Sequence, residues 1–149
     1  MENKKPQTIK TLEGDEHFSV GALIWKNKEL LIMDRKLPPR GFAGIAWHID
    51  ESETPEEALR REIKEETGLD VLSSKLLFKK KIIQKEDCVF GLKKHFWYVY
   101  DVRCAGELKP SEHEVRYIKY MPREKIMGLY KKKKLDYAWV VIFNKLKII

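Results

Sequence analysis

The sequence predicts a mixed α/β domain, and three observations predict it. A segment after position 54 carries both a helix start and a helix stop. Runs rich in β-branched and aromatic residues lie on either side of it. The C-terminal stretch repeats apolar residues at helical spacing.

In chain order, residues 1–15 read as a loose leader or an edge segment ahead of one domain spanning 1–149. Phe18–Trp25 and Leu30–Met33 are apolar runs split by Lys26-Asn27-Lys28-Glu29, the pattern of a β-hairpin. Leu37-Pro38-Pro39-Arg40-Gly41 is a loop, because paired prolines remove donors and fix φ. It leads toward Phe42–Ile49. Thr54 is then a helix N-cap, Pro55 suits the first helical position, and Glu57 completes a capping box. The helix runs to Thr67, where Gly68 supplies a left-handed stop. Val71–Ile83, His95–Arg103 and Val115–Met121 read as strands, and Pro122–Met127 as one or two helical turns. Leu135, Ala138, Trp139, Ile142, Phe143 and Leu146 mark an amphipathic C-terminal helix whose stripe belongs to the core.

Composition narrows the function classes. At 149 residues, with 43% apolar and 36% charged residues, the chain buries a core without staples. No apolar run reaches membrane-spanning length, and Met1–Lys10 shows no signal-peptide core. A cytoplasmic location is the expectation. Cys88 and Cys104 are too few and too irregular for a disulfide scaffold or a zinc site, and read as reduced thiols. His17, His48, His95 and His113 show no local ligand spacing, and His48 reads as an ordinary strand or surface histidine. The net charge of +7 gathers in Lys79–Lys81, Lys93–Lys94 and Lys131–Lys134. It favours phosphate or nucleic-acid partners, or simply a solvated lysine surface. Either a monomer or a homodimer fits, with Trp97 or Trp139 as exposed aromatics able to seat a dimer.

The chemistry concentrates in the helix after Thr54. Glu62, Glu65 and Glu66 stand at i, i+3 and i+4 and so share a face. Like charges at that spacing repel, which favours either full exposure or neutralisation by cations. Ala58 lies on the same side and is small enough to leave room for a ligand; Leu59 and Ile63 anchor the helix in the core, and Arg60 and Lys64 face away. Arg61 stands four residues from both Glu57 and Glu65 and can pair along the helix. Mg²⁺ takes oxygen ligands from one or two carboxylates plus substrate phosphates, and three glutamates on one face suit it.

Glu53, followed after seven residues by Arg61-Glu62-Ile63-Lys64-Glu65-Glu66-Thr67-Gly68-Leu69, resembles the signature of the Nudix hydrolase family. The resemblance extends from about His17 to the end of the chain. It implies an α/β/α sandwich with a mixed β-sheet and a Mg²⁺-dependent (or Mn²⁺-dependent) hydrolase that cleaves the diphosphate bond of a nucleoside-diphosphate derivative. It also implies roles. Glu65 and Glu66 are the main metal ligands, Glu62 a further ligand or the general base, and Arg61 the residue that orients a glutamate. Glu53 supports the helix entrance or the metal shell. Glu112 and Glu114 are candidates for an additional acidic ligand from outside the signature, and Arg35 and Arg40 for neutralising substrate phosphates. The family glycine six residues before Glu53 is Trp47 here, and a second common glycine is Ser52. Trp47 can shift the loop, fill or block part of the substrate site, or stack on a base. Lys81-Ile82-Ile83-Gln84-Lys85 lacks the proline of relatives acting on ADP-ribose. A 5′-end RNA pyrophosphohydrolase and a catalytically impaired nucleotide-binding module are the alternative functions.

Overall fold

The computed structural model describes residues 5–11, 14–88, 90–113 and 115–149. Strand β2 (Gly14–Lys26) organises it. Along one edge it pairs antiparallel with β1 (Thr8–Thr11), then β5 (Ile45–His48), then β3 (Glu29–Arg35). Along the other edge it runs parallel to β7 (Lys94–Ala105), which pairs antiparallel with β6 (Asp70–Ile83). Strands β4 (Phe42–Ala43) and β8 (Val115–Met121) pair with β3. One parallel pair among antiparallel ones makes the sheet mixed. Among the first fifteen residues, Thr8–Thr11 forms an edge strand.

The β2–β3 hairpin turns at Asn27 and Lys28, both with positive φ (50° and 66°), which matches the right-handed twist of the flanking strands. Strand alternation then separates two cores. Val20, Ala22 and Ile24 face helix α1 (Pro55–Thr67), whose Ala58, Leu59 and Ile63 are fully buried against them. Leu23 points the other way. There it meets Ile32, Trp97 and Val99, with Ile126 of helix α2 (Arg123–Lys131) and Trp139, Ile142 and Phe143 of helix α3 (Tyr137–Lys145). The result is an α/β/α sandwich.

Two expectations are corrected here. Trp97 and Trp139 are 4% and 1% exposed, edge to face at 6.0 Å, and so offer no aromatic surface to a second copy. Trp139 lies so close over Gly44 that an added Cβ would come within 2.5 Å of its ring. Ala58 is buried in the core and leaves no space beside the glutamates. Strand β6, where Lys79–Lys81 lie, is an edge of the sheet; lysine on an edge strand discourages pairing with another chain. Among the described residues, no helix is long and apolar enough to cross a membrane.

Candidate active site

The carboxylate helix is phased by its ends. Thr54 is extended, and its Oγ1 accepts from the Glu57 N–H at 3.2 Å. Gly68 has φ 76°, and its N–H donates to the Lys64 carbonyl. A Cβ at Gly68 would lie 2.8 Å from the Cβ of Lys109, so only glycine fits between the helix end and the following loop.

Between these ends Arg61 gathers carboxylates from two directions. Its Nε and Nη2 donate to both oxygens of Glu53 at 2.6 and 2.7 Å, a bidentate pair. Nη2 also reaches Asp50 at 3.0 Å, and Nη1 reaches Glu62 and, at 3.3 Å, Glu65. The hydrogen bond to Glu53 pushes the guanidinium further above its ordinary range, against the effect of burial. Of the two acids four positions away, Glu65 is the one that pairs with Arg61. Glu53, Asp50 and Glu62 are 9%, 13% and 15% exposed, whereas Glu65 is 47% exposed. Glu66 is buried.

The loop before β8 closes on the helix end. The Lys109 N–H donates to the Thr67 carbonyl at 2.7 Å, and the Ser111 N–H to the Glu66 carbonyl at 2.9 Å. This carries exposed Glu112 to the vicinity of Glu66, where its carbonyl accepts from Lys36 Nζ. Glu114 lies outside the described residues. The acids at this end are hard oxygen donors in excess over the guanidinium that binds them, and that donor chemistry fits Mg²⁺.

Trp47 sits in the regular strand β5, opposite Val20, and packs half-buried against the core on the α1 side. It is not among the residues of positive φ, so glycine is not needed for the backbone path at this position. The arginines lie elsewhere. Arg35 ends β3 beside a cavity of about 20 Å³ shared with Trp47, His48, Gln84, His95 and Asp136. Exposed Arg40 borders a larger cavity of about 490 Å³, with Gln84, Leu135, Asp136 and Tyr137 on its walls. Its backbone N–H donates to Glu86 at 3.0 Å.

Sequence reasoning missed several polar groups here. Asp50 is one, although its place three residues before Glu53 was a signal. Gln84 and Asp136 are others: Gln84 Nε2 donates to both Asp136 oxygens at 3.2 and 3.3 Å. Burial raises the Asp136 carboxyl to about 6, while the Gln84 bond and the Arg35 charge oppose the rise. The largest omission is His17, His48, Cys88 and His95. Local spacing argued against a zinc site, yet these four side chains meet, with their candidate ligand atoms all within 4.8 Å of one another. The three imidazole centroids are 5.0 to 5.5 Å apart. Burial keeps His48 well below the usual imidazole range and lowers His95 to about 4; His17 is lowered too. Cys104 is half-buried on β7, away from this group in sequence, and both thiols are free.

A sequence model of the family described as "NUDIX domain" matches residues 15–141. An 8-oxo-dGTP diphosphatase from Proteus vulgaris is 35% identical over 66 residues, 41% of this chain and 57% of that protein, so the match spans less than two thirds of that relative. Among solved structures, a MutT NUDIX hydrolase from Burkholderia pseudomallei superposes with a TM-score of 0.63 at 23% identity, covering 72% of this chain and 83% of that one. The NUDIX domain of Shewanella oneidensis NrtR, complexed with ADP ribose, superposes with a TM-score of 0.70 at 14% identity, covering 89% and 86%. At these identities the structural likeness concerns the fold.

Proposed function

Since this chain belongs to the Nudix family, we propose that it is a Mg²⁺-dependent hydrolase that cleaves the diphosphate linkage of a nucleoside-diphosphate derivative such as a nucleoside triphosphate. One observation carries the reading: Arg61, clamped by Glu53, also holds Glu62 and Glu65 on one helix face. Glu65 and Glu66, with Glu62 and with Glu112 from the neighbouring loop, are the residues that would hold the ion. Bound there, Mg²⁺ would neutralise phosphate charge and acidify water. Water adds to one phosphorus, the bridging P–O bond breaks, and the departing phosphate takes the electron pair. Glu62, bonded to Arg61 on the same helix face, is assigned to accept the proton from that water. The products are a nucleoside monophosphate and pyrophosphate, or a monophosphate and a phosphorylated second moiety.

The cavity of about 490 Å³ is of a size that accepts a nucleoside. Gln84 and Asp136 on its wall offer a donor and an acceptor for a base edge, Tyr130 and Tyr137 are the aromatics on the same wall, and Arg35 and Arg40 supply positive charge for phosphate oxygens. The relative named 8-oxo-dGTP diphosphatase puts oxidised purine triphosphates first among substrates to try.

The test is product release from 8-oxo-dGTP, dGTP, a nucleotide sugar, a dinucleotide and 5′-triphosphorylated RNA, with Mg²⁺ or Mn²⁺. Turnover of a mononucleotide that falls at least about 100-fold in Glu65→Gln is the expected result. Turnover of RNA alone would move the assignment to RNA 5′ ends, where the lysine runs would serve. Binding without turnover of any substrate would overturn the enzyme reading and leave a nucleotide-binding module. In that event a rate gain on Trp47→Gly would identify the indole as the obstruction.

A further inference from the structure

We propose that His17, His48, Cys88 and His95 form a separate metal site, which binds one Zn²⁺-like ion and ties the β6–β7 connection to the sheet. The site stands on four elements. His17 and His95 are direct neighbours in the parallel β2–β7 register. His48 ends β5 on the other side of β2, opposite Ser19. Strand alternation puts all three imidazoles on the face that carries Trp97, opposite the glutamate helix. Cys88 is delivered by the β6–β7 connection, whose turn is closed by the bonds from Cys88 N–H to Leu92 and from Gly91 N–H to Cys88.

The donor geometry is close to what an ion needs. Zn–N bonds of about 2.0 Å and a Zn–S bond of about 2.3 Å place tetrahedral ligand atoms roughly 3.3–3.6 Å apart. Here Cys88 Sγ and His17 Nδ1 are 3.6 Å apart, and the widest pair is within 4.8 Å. His48 Nε2 is buried and, among the described residues, has no hydrogen-bond partner, an arrangement that costs stability unless something occupies it. His95 has Ser19 Oγ at 2.8 Å on one ring nitrogen and the Leu92 carbonyl at 3.3 Å on the other. Either contact can orient the ring while the other nitrogen ligates.

Donor softness separates this site from the glutamate helix. Three imidazoles and a thiolate suit Zn²⁺, whereas Mg²⁺ takes oxygen. Four protein ligands leave no open position, which is the mark of a structural centre. His48, Cys88 and His95 also border the small cavity beside Arg35 and Asp136. The ion would therefore set one wall of the cleft. The proposal does not depend on the hydrolase reading.

The experiment is a Co²⁺ titration of the untagged, chelator-treated chain in excess Mg²⁺. One Co²⁺ per chain is expected, with a near-ultraviolet thiolate charge-transfer band that Zn²⁺ abolishes by displacement. Cys88→Ser should remove the band, and His48→Asn should weaken binding at least about 10-fold. Glu65→Gln and Cys104→Ser should leave both unchanged. Absence of the band at saturating Co²⁺, its survival in Cys88→Ser, or its loss in Cys104→Ser would overturn the site. Should Cys88→Ser fail to fold, the native band together with the His48→Asn and Cys104→Ser titrations decides the matter.

Discussion

The two faces of the sheet are built on opposite plans. On the α1 face, the candidate site is written along one stretch of chain. Arg61, Glu62, Glu65 and Glu66 share a helix, and Asp50 and Glu53 lie just before it. On the α3 face it is assembled across the fold. Gln84 meets Asp136 from 52 positions away, and Cys88 meets His17 from 71. The first face tolerates charge because it is half open and Arg61 pairs with its carboxylates. The second is closed by Trp97, Trp139 and Phe143, so each polar group placed there needs a specific partner. Local chemistry can be moved as a cassette, whereas assembled chemistry depends on strand register.

The largest effect that tests this contrast is Trp139→Ala. The ring is 1% exposed and packs on Trp97, Phe143 and the backbone at Gly44. Truncation should cost about 3–5 kcal/mol, read as a fall in the denaturant midpoint. Mg²⁺ should recover little of it, because the lost packing is on the other side of the sheet.

Arg61→Ala should cost less, about 2–3 kcal/mol. Losing one partner of a buried ion pair is severe, but this guanidinium is 22% exposed, so water softens the loss. Here Mg²⁺ should help. With the guanidinium gone, Asp50, Glu53, Glu62 and Glu65 attract cations more strongly, and binding to the folded form raises stability by mass action. Thermal melts of both variants with and without Mg²⁺ check the pair. Equal Mg²⁺ responses would mean that the two faces are not separate in the way their construction suggests.

What was legible in the sequence follows the same division. The helix and its caps depend on residues three or four apart, so Thr54, Pro55 and Gly68 announced them, and the glutamate phase followed. The hairpin at Asn27-Lys28 and strands β6, β7 and β8 were also legible, since alternation and turn chemistry are local, whereas β4 and β5 within Phe42–Ile49 were not. The facing of Ala58 was not, because a helix face that carries glutamates can still be buried, as Glu66 itself is. Trp97 and Trp139 looked available for a dimer because the sequence does not say which strand face is covered. The histidines looked unrelated because spacing along the chain says nothing about His17 lying beside His95. Asp136 was overlooked for the same reason: a lone acid before a helix gives no sign that Gln84 will meet it.

The last of these effects appears only as pH changes, and it concerns Asp136. Its carboxyl is raised from an ordinary value near 3.8 to about 6, chiefly by burial. The folded protein thus holds this proton more tightly than the unfolded chain does. The stability so gained is fully present below about pH 4 and is lost as pH rises through about 6. The interval corresponds to about 3 kcal/mol at most, with Gln84 and the Arg35 charge acting against the rise. Asp136→Asn keeps the shape and removes the titration. Relative to it, the native chain should lose stability between pH 4 and 6.5 and run parallel above. A flat difference across that interval would show that Asp136 stays ionised at its post beside Gln84. The α3 face would then hold a permanent negative charge, and the cavity beside it would favour base-edge donors at every pH.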